Sequence, residues 1–146
     1  QYQPKCREYY NAADQSLQAR AHGNSKKEVY SYSNGGGNAH MLATQMPALS
    51  AAVPFYGNHP PAEDAAKVKA PLLIHFADVD ERINAAWPAY EAALKAAHVG
   101  YTAHRYPGTQ HGFNNDTTPR FDAAAAQLAW GRTLDFFNRN LRVATG

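Results

Sequence analysis

Three polar residues of this chain have the types and order needed for nucleophilic chemistry. Ser33 lies in Ser31-Tyr32-Ser33-Asn34-Gly35-Gly36-Gly37, Asp80 in Asp78-Val79-Asp80-Glu81-Arg82, and His111 in Gly108-Thr109-Gln110-His111-Gly112-Phe113. A serine hydroxyl is a weak nucleophile and needs a base within hydrogen-bond reach. The base in turn needs an acid to fix its tautomer and balance the imidazolium charge. Each residue alone has a plain structural explanation: a glycine-rich strand-to-helix turn, a turn before a helix, a loop histidine. Their occurrence in the order Ser, Asp, His, each just past the end of a strand-like run, favours the chemical reading. Asp78 is the competing acid. The tip of its loop is better placed to reach a histidine on a neighbouring strand, which favours Asp80, with Glu81 left to solvent.

The elements that must position these residues are legible as alternating runs. Glu28-Val29-Tyr30-Ser31 reads as a strand, and Asn38 to Met46 as a helix ended by Pro47. A strand that breaks on a serine between small residues and enters a helix describes a nucleophile elbow, with Ser31 in place of the first Gly of G-x-S-x-G. Such a turn lifts the Ser33 hydroxyl above the sheet. It also presents the Asn34 N–H, at the helix start, as an oxyanion donor. Ala51 to Gly57 reads as a second strand, Asn58 to Lys69 as a loop, and Ala70 to Ala77 as a third strand apolar enough to be buried on both faces. Asn84 and Trp87-Pro88 open a helix in which Trp87, Tyr90, Leu94 and Ala97 share a face. Tyr101 to Tyr106 alternates as a fourth strand, and Pro107-Gly108 reads as a turn. Thr118-Pro119 supplies an N-cap and first-turn proline for a last helix lined by Phe121, Ala125, Leu128, Ala129, Phe136, Phe137 and Leu141. Asn11 to Ala21 reads as a further helix with a weak apolar face. The expected architecture is α/β: a parallel sheet of about four strands flanked by helices.

With 146 residues the chain makes one domain, residues 1–146, without internal repeats. It is 45% hydrophobic and 18% charged, as expected of a globular chain rather than a disordered one. A net charge of +2 with scattered Lys and Arg argues against a nucleic-acid partner. A P-loop reading fails too, because the glycine run lacks the following Lys-Ser/Thr. No apolar run approaches the roughly 20 residues that span a bilayer, so no membrane partner is expected. Cys6 stands alone, and the seven histidines show no metal-ligand spacing, so neither a metal nor a cofactor is expected. His22, His40, His59, His98 and His104 read as surface or packing residues. The default location is cytoplasmic, and Gln1 in place of Met points to processing or a fragment boundary.

Several stretches resemble the dienelactone hydrolase (carboxymethylenebutenolidase) family. They include Gly35-Gly36-Gly37, Met41-Leu42-Ala43-Thr44, Ala52 to Gly57, Ala70 to Ala77, Arg82-Ile83-Asn84, Trp87-Pro88-Ala89-Tyr90 and Tyr106-Pro107-Gly108. The strongest are His111-Gly112-Phe113 and Asn115-Asp116-Thr117-Thr118-Pro119-Arg120. The resemblance covers residues 28–141, leaving 1–27 as a variable segment. It implies an α/β-hydrolase fold and metal-free hydrolysis of an ester or lactone. It also implies Ser33 as nucleophile, Asp80 as acid and His111 as base. Three departures stand out. Ser33 occupies a position at which the family commonly has Cys. Ser31 replaces a Gly, which implies a strained or loosened elbow. Asn115 stands where the archetypal lactonase carries an Arg that meets the substrate carboxylate. The resemblance also implies that this chain is the C-terminal half of such a protein, without the early strands and the loop that supplies a second oxyanion N–H. The edge of the Val29 strand would then be covered by residues 1–22, by a missing fragment, or by a second copy in a homodimer.

Two readings follow. In one, the chain is a serine ester or lactone hydrolase acting on a small molecule, with Trp87, Phe113 and Tyr56 as an apolar substrate wall. In the other, it is a truncated, catalytically weak or silent half-domain that serves as an oligomeric or binding module.

Overall fold

The structure is a computed structural model that describes residues 26–141; the expected Asn11–Ala21 helix, His22 and Cys6 lie outside them. Four strands, β1 (Glu28–Tyr32), β2 (Ala51–Phe55), β3 (Leu72–Val79) and β4 (Tyr101–Gln110), form one sheet in the order β1-β2-β3-β4. All neighbouring pairs are parallel, as expected. Parallel strands need crossover connections. They are made by α1 (Asn34–Gln45), a 3-10 turn at Ala62–Lys67, and α2 (Glu81–Ala96), and α3 (Ala123–Leu141) closes the domain.

Alternation along the strands sorts the core into two layers. Ala52, Leu72, Ile74 and Phe76 pack with Ala43 of α1, Ala65 and Val68 of the 3-10 turn, and Ile83, Tyr90 and Leu94 of α2. On the opposite face Ala51, Val53, Phe55, Leu73 and Ala77 pack with Ala129, Phe136 and Phe137 of α3. β2 and most of β3 are buried on both faces, which is why both read as continuous apolar runs.

The boundaries differ from the expected ones where polar bonding overrides composition. α1 starts directly after Ser33 and takes in the glycine run. α2 starts at Glu81, and Pro88 is accommodated inside it. β4 continues through Pro107-Gly108 to Gln110 instead of turning there, with Gly108 at φ 73° and a register irregularity opposite Ala77 and Val79. Thr118-Pro119 does not start α3. Asp122 accepts the Ala125 N–H at 3.0 Å, and the helix begins at Ala123. Of the expected apolar side of α3, Ala129, Phe136 and Phe137 are buried but Phe121 and Leu128 are exposed.

A buried hydrogen-bond chain joins the layers on the α3 side. Thr133 Oγ1 donates to the Ala129 carbonyl at 2.8 Å, so it accepts from His75 Nε2 at 3.0 Å, and His75 Nδ1 accepts the Tyr106 hydroxyl at 2.8 Å. On the other side His40 is fully buried, with His59 5.1 Å away between ring centroids. Burial, with the neighbouring His59, holds His40 well below the usual histidine value. Burial also pushes His59 down to about 4 and His75 to about 3.

These histidines stay neutral in the fold while the unfolded chain protonates near pH 6.5, so stability falls as pH drops from about 6.5 toward 4. The expected slope is up to ~1.4 kcal/mol per pH unit for each histidine. Urea midpoints measured between pH 7.5 and 4.5 should decline through this window. A flat profile would show that these rings are not held neutral.

Candidate functional site

Ser33, Asp80 and His111 are separated by long stretches of chain but meet at the carboxyl ends of β1, β3 and β4, where an open parallel sheet gathers its functional groups. Ser33 Oγ lies 2.7 Å from His111 Nε2, and His111 Nδ1 lies 2.5 Å from Asp80 Oδ2. The carboxylate can only accept at neutral pH, so Nδ1 carries the proton and Nε2 accepts from the Ser33 hydroxyl. Asp80 is nearly buried and the His111 ring about a quarter exposed, so the pair is shielded while one side stays open.

Ser33 holds φ 53° and ψ −122°, a strained conformation for a residue with a Cβ. Neighbouring backbone bonds enforce it. The Ser33 N–H donates to the Phe55 carbonyl at 3.1 Å, continuing the β1–β2 ladder, and the Ser33 carbonyl accepts the Gly37 N–H at 3.3 Å, opening α1. The amides of the first turn of α1 therefore follow directly on Ser33 without helical acceptors, at the positive end of the helix. Gly37 of α1 faces Asn58 of the loop after β2, where a Cβ would make ordinary van der Waals contact, 3.6 Å from the Asn58 carbonyl oxygen. Ser31 does not loosen the turn. Its hydroxyl accepts the Ala39 N–H at 3.1 Å and ties β1 to α1.

Asp78 has a different partner from Asp80. Its Oδ2 accepts the Gly108 N–H at 3.0 Å, and its own N–H donates to Thr109 Oγ1 at 3.3 Å. Asp78 thus laces the end of β3 to the end of β4, and Asp80 alone of the two carboxylates reaches His111.

A cavity of about 340 Å³ opens over Ser33 and His111, bordered also by Tyr56, Asn114, Asp116 and Arg120. Tyr56, the second non-glycine residue here with positive φ (37°), packs its ring 4.9 Å from that of His111. Burial pushes its phenol up to about 12, which keeps it protonated. Phe113 is fully buried behind Tyr56, 5.4 Å away, and supports the wall without lining it. Trp87 lies on the other face of the sheet, against Phe76, His59 and Tyr101, and takes no part in this cavity. Helical spacing gave Trp87 its face correctly but could not say on which side of the sheet the helix packs.

Arg120 is a cavity residue that spacing did not reveal. The segment 112–120 folds back through a turn in which Asn115 Oδ1 accepts from Thr117 N–H at 3.0 Å and from its hydroxyl at 2.6 Å. This return sets the guanidinium 3.8 Å from where a Gly112 Cβ would stand, and Gly112 itself has φ 87°. Among the described residues no group of His, Cys, Asp or Glu is gathered to hold a metal ion, and no helix is long and apolar enough to cross a membrane.

Comparison with known proteins agrees with this fold. The model of the dienelactone hydrolase family matches residues 4–141. A protein of Saccharolobus solfataricus described as "Putative carboxymethylenebutenolidase" is 37% identical over 106 residues, spanning 72% of this chain and 41% of its own. A Klebsiella pneumoniae structure described as "Putative Dienelactone Hydrolase" superposes with a TM-score of 0.79 at 23% identity, over 90% of this chain and 59% of that one. An acylaminoacyl peptidase of Pyrococcus horikoshii shares the fold, with a TM-score of 0.76 at 17% identity, over 95% of this chain and 28% of that one. The chain thus spans less than half of the curated relative and about three fifths of the Klebsiella protein. Its match to the family model over nearly its whole length places the chain in the dienelactone hydrolase family.

Proposed function

We propose that this chain carries the catalytic centre of a carboxylic ester or lactone hydrolase working through a covalent acyl-enzyme. The observation that carries the reading is the continuous line Ser33 Oγ, His111 Nε2, His111 Nδ1, Asp80 Oδ2, with contacts of 2.7 and 2.5 Å at its two ends. His111 takes the Ser33 proton as Oγ attacks the carbonyl carbon, and the tetrahedral oxyanion forms beside the Asn34 N–H at the start of α1. Collapse expels the alkoxide, which leaves with the proton from His111. Water then repeats the sequence on the acyl-enzyme, releasing the acid and restoring Ser33. Asp80 fixes the His111 tautomer and stabilises the imidazolium. The Asn34 N–H is the oxyanion donor of this scheme, and removing one such donor typically costs ~10²–10³ in rate. Tyr56 forms the apolar wall, and Arg120 at the rim favours esters whose acyl part bears an acidic group.

A fluorophosphonate probe should label the folded chain at Ser33, with labelling lost in Ser33→Ala; an unlabelled folded protein would instead support a silent binding module. With p-nitrophenyl acetate, Asp80→Asn should lower kcat by on the order of 10³–10⁴. Asp78→Asn should cost less than about tenfold, because its side chain binds backbone and not the imidazole. Equal losses would mean that both carboxylates serve the histidine. Arg120→Ala should raise KM for a carboxylate-bearing phenyl ester and leave KM for the neutral ester unchanged.

A further inference from the structure

Asp80 sits at the N-cap of α2, where an aspartate ordinarily accepts the free N–H groups of its own helix. Here it makes no capping bond, and its carboxylate turns away to His111. The choice between these two arrangements is a conformational one, and something other than Asp80 must bias it.

The neighbouring backbone shows what does so. The β3–β4 register breaks between Ala77 and Val79, an irregularity that re-aims the end of β3 and interrupts regular pairing with β4. One turn into α2, Asn84 reaches back to this segment. Its Nδ2 donates to the Ala77 carbonyl at 2.9 Å and to the Asp78 carbonyl at 3.2 Å. Its backbone N–H donates to the Asp80 carbonyl at 2.9 Å. Two carbonyl acceptors on one side of the amide fix its orientation, with Nδ2 toward them. The acid loop is thus held from both sides of Asp80: its upstream carbonyls by the Asn84 side chain, its own carbonyl by the Asn84 main chain.

We propose that Asn84 is a positioning residue that locks the 77–80 segment so that Asp80 faces His111 instead of capping α2. The proposal rests on the catalytic reading of Asp80 and His111 given above. Without the Nδ2 donor, the Ala77 and Asp78 carbonyls lose their partner and the segment relaxes. Asp80 then turns toward the α2 amides, and the imidazole loses its orienting carboxylate. Asn84 therefore acts through Asp80 alone and touches neither Ser33 nor the substrate.

The test is a double-mutant cycle followed by ester hydrolysis. Asn84→Ala and Asn84→Asp both remove the donor. Asn84→Asp keeps the side-chain volume but sets a carboxylate against the Ala77 and Asp78 carbonyls, so thermal melts establish that each variant is folded before its kinetics are compared. Each variant should lower kcat roughly 10- to 100-fold with KM little changed, as expected for a misplaced catalytic group. The acid limb of the kcat/KM profile should move to lower pH as the imidazolium loses its carboxylate. In an Asp80→Asn background the same substitutions should cost less than about twofold, because the group they position is already gone. An unchanged kcat and pH profile in folded Asn84→Asp, or an equal loss in both backgrounds, would overturn the proposal. The downfield proton NMR signal of His111 Nδ1–H separates this from failure of the catalytic reading. It should weaken in both Asn84 variants even if fluorophosphonate leaves the wild-type chain unlabelled, and its persistence would count against Asn84.

Discussion

The positive φ of Ser33 is the constraint on which the site depends. A non-glycine residue at φ 53° and ψ −122° costs on the order of 1–3 kcal/mol and persists only where its surroundings leave no alternative. Those surroundings are the β1–β2 register, which pairs Tyr32 with Phe55 and delivers the Ser33 N–H to the Phe55 carbonyl, and the immediate start of α1. α1 begins at Asn34 without a linker, and its residue Gly37 faces Asn58 in the loop after β2. Tyr56, the other strained residue at the cavity, is held by its own N–H to the His75 carbonyl at 2.7 Å. Strain thus collects at two adjacent strand ends, and the buried β2–β3 layer sustains it.

The second half of the site is a problem of distance along the chain. Asp80 and His111 are 31 residues apart, and their 2.5 Å contact needs the ends of β3 and β4 fixed to each other after regular pairing has become irregular. Asp78, Thr109 and Asn84 supply that fixing. The Thr109 hydroxyl donates to the Tyr106 carbonyl at 2.6 Å and accepts from the Asp78 N–H, while Asp78 holds the Gly108 N–H. Two carboxylates two residues apart therefore have separate tasks, one joining loops and the other orienting the histidine.

These tasks mark the limit of what the sequence discloses. Apolar runs and alternation place the four strands, and the order of Ser33, Asp80 and His111 beyond their ends marks three residues that the fold brings together, because these depend on local composition. The extension of β4 through Pro107-Gly108 is not local. Those residues favour a turn by themselves, and the bonds of Asp78 to Gly108 and Thr109 hold them within β4, with Gly108 in the left-handed region. Asp122 rather than Thr118 caps α3, because Thr118 bonds instead to the Asn115 carbonyl at 3.2 Å within the returning segment. That same return brings Arg120 to the cavity, and no spacing rule anticipates it. Trp87 fails for a related reason: periodicity defines an apolar face but not the layer it meets.

With Ser33 as the proposed nucleophile, the bonding around His111 and Asp80 has a chemical reason. A thiol at this position could ionise ahead of attack and would tolerate a loosely held imidazole. The Ser33 hydroxyl is far less acidic, so in the proposed mechanism its proton passes to Nε2 during attack itself, and transfer of that kind is sensitive to small errors in distance and angle. In that mechanism the 2.7 Å approach of Oγ to Nε2 is backed by the Asp80 contact at Nδ1, and Asp80 makes that contact in place of a capping bond to α2. The requirement for precision therefore propagates outward from the hydroxyl, through the histidine, to backbone ties in a loop that never meets the substrate.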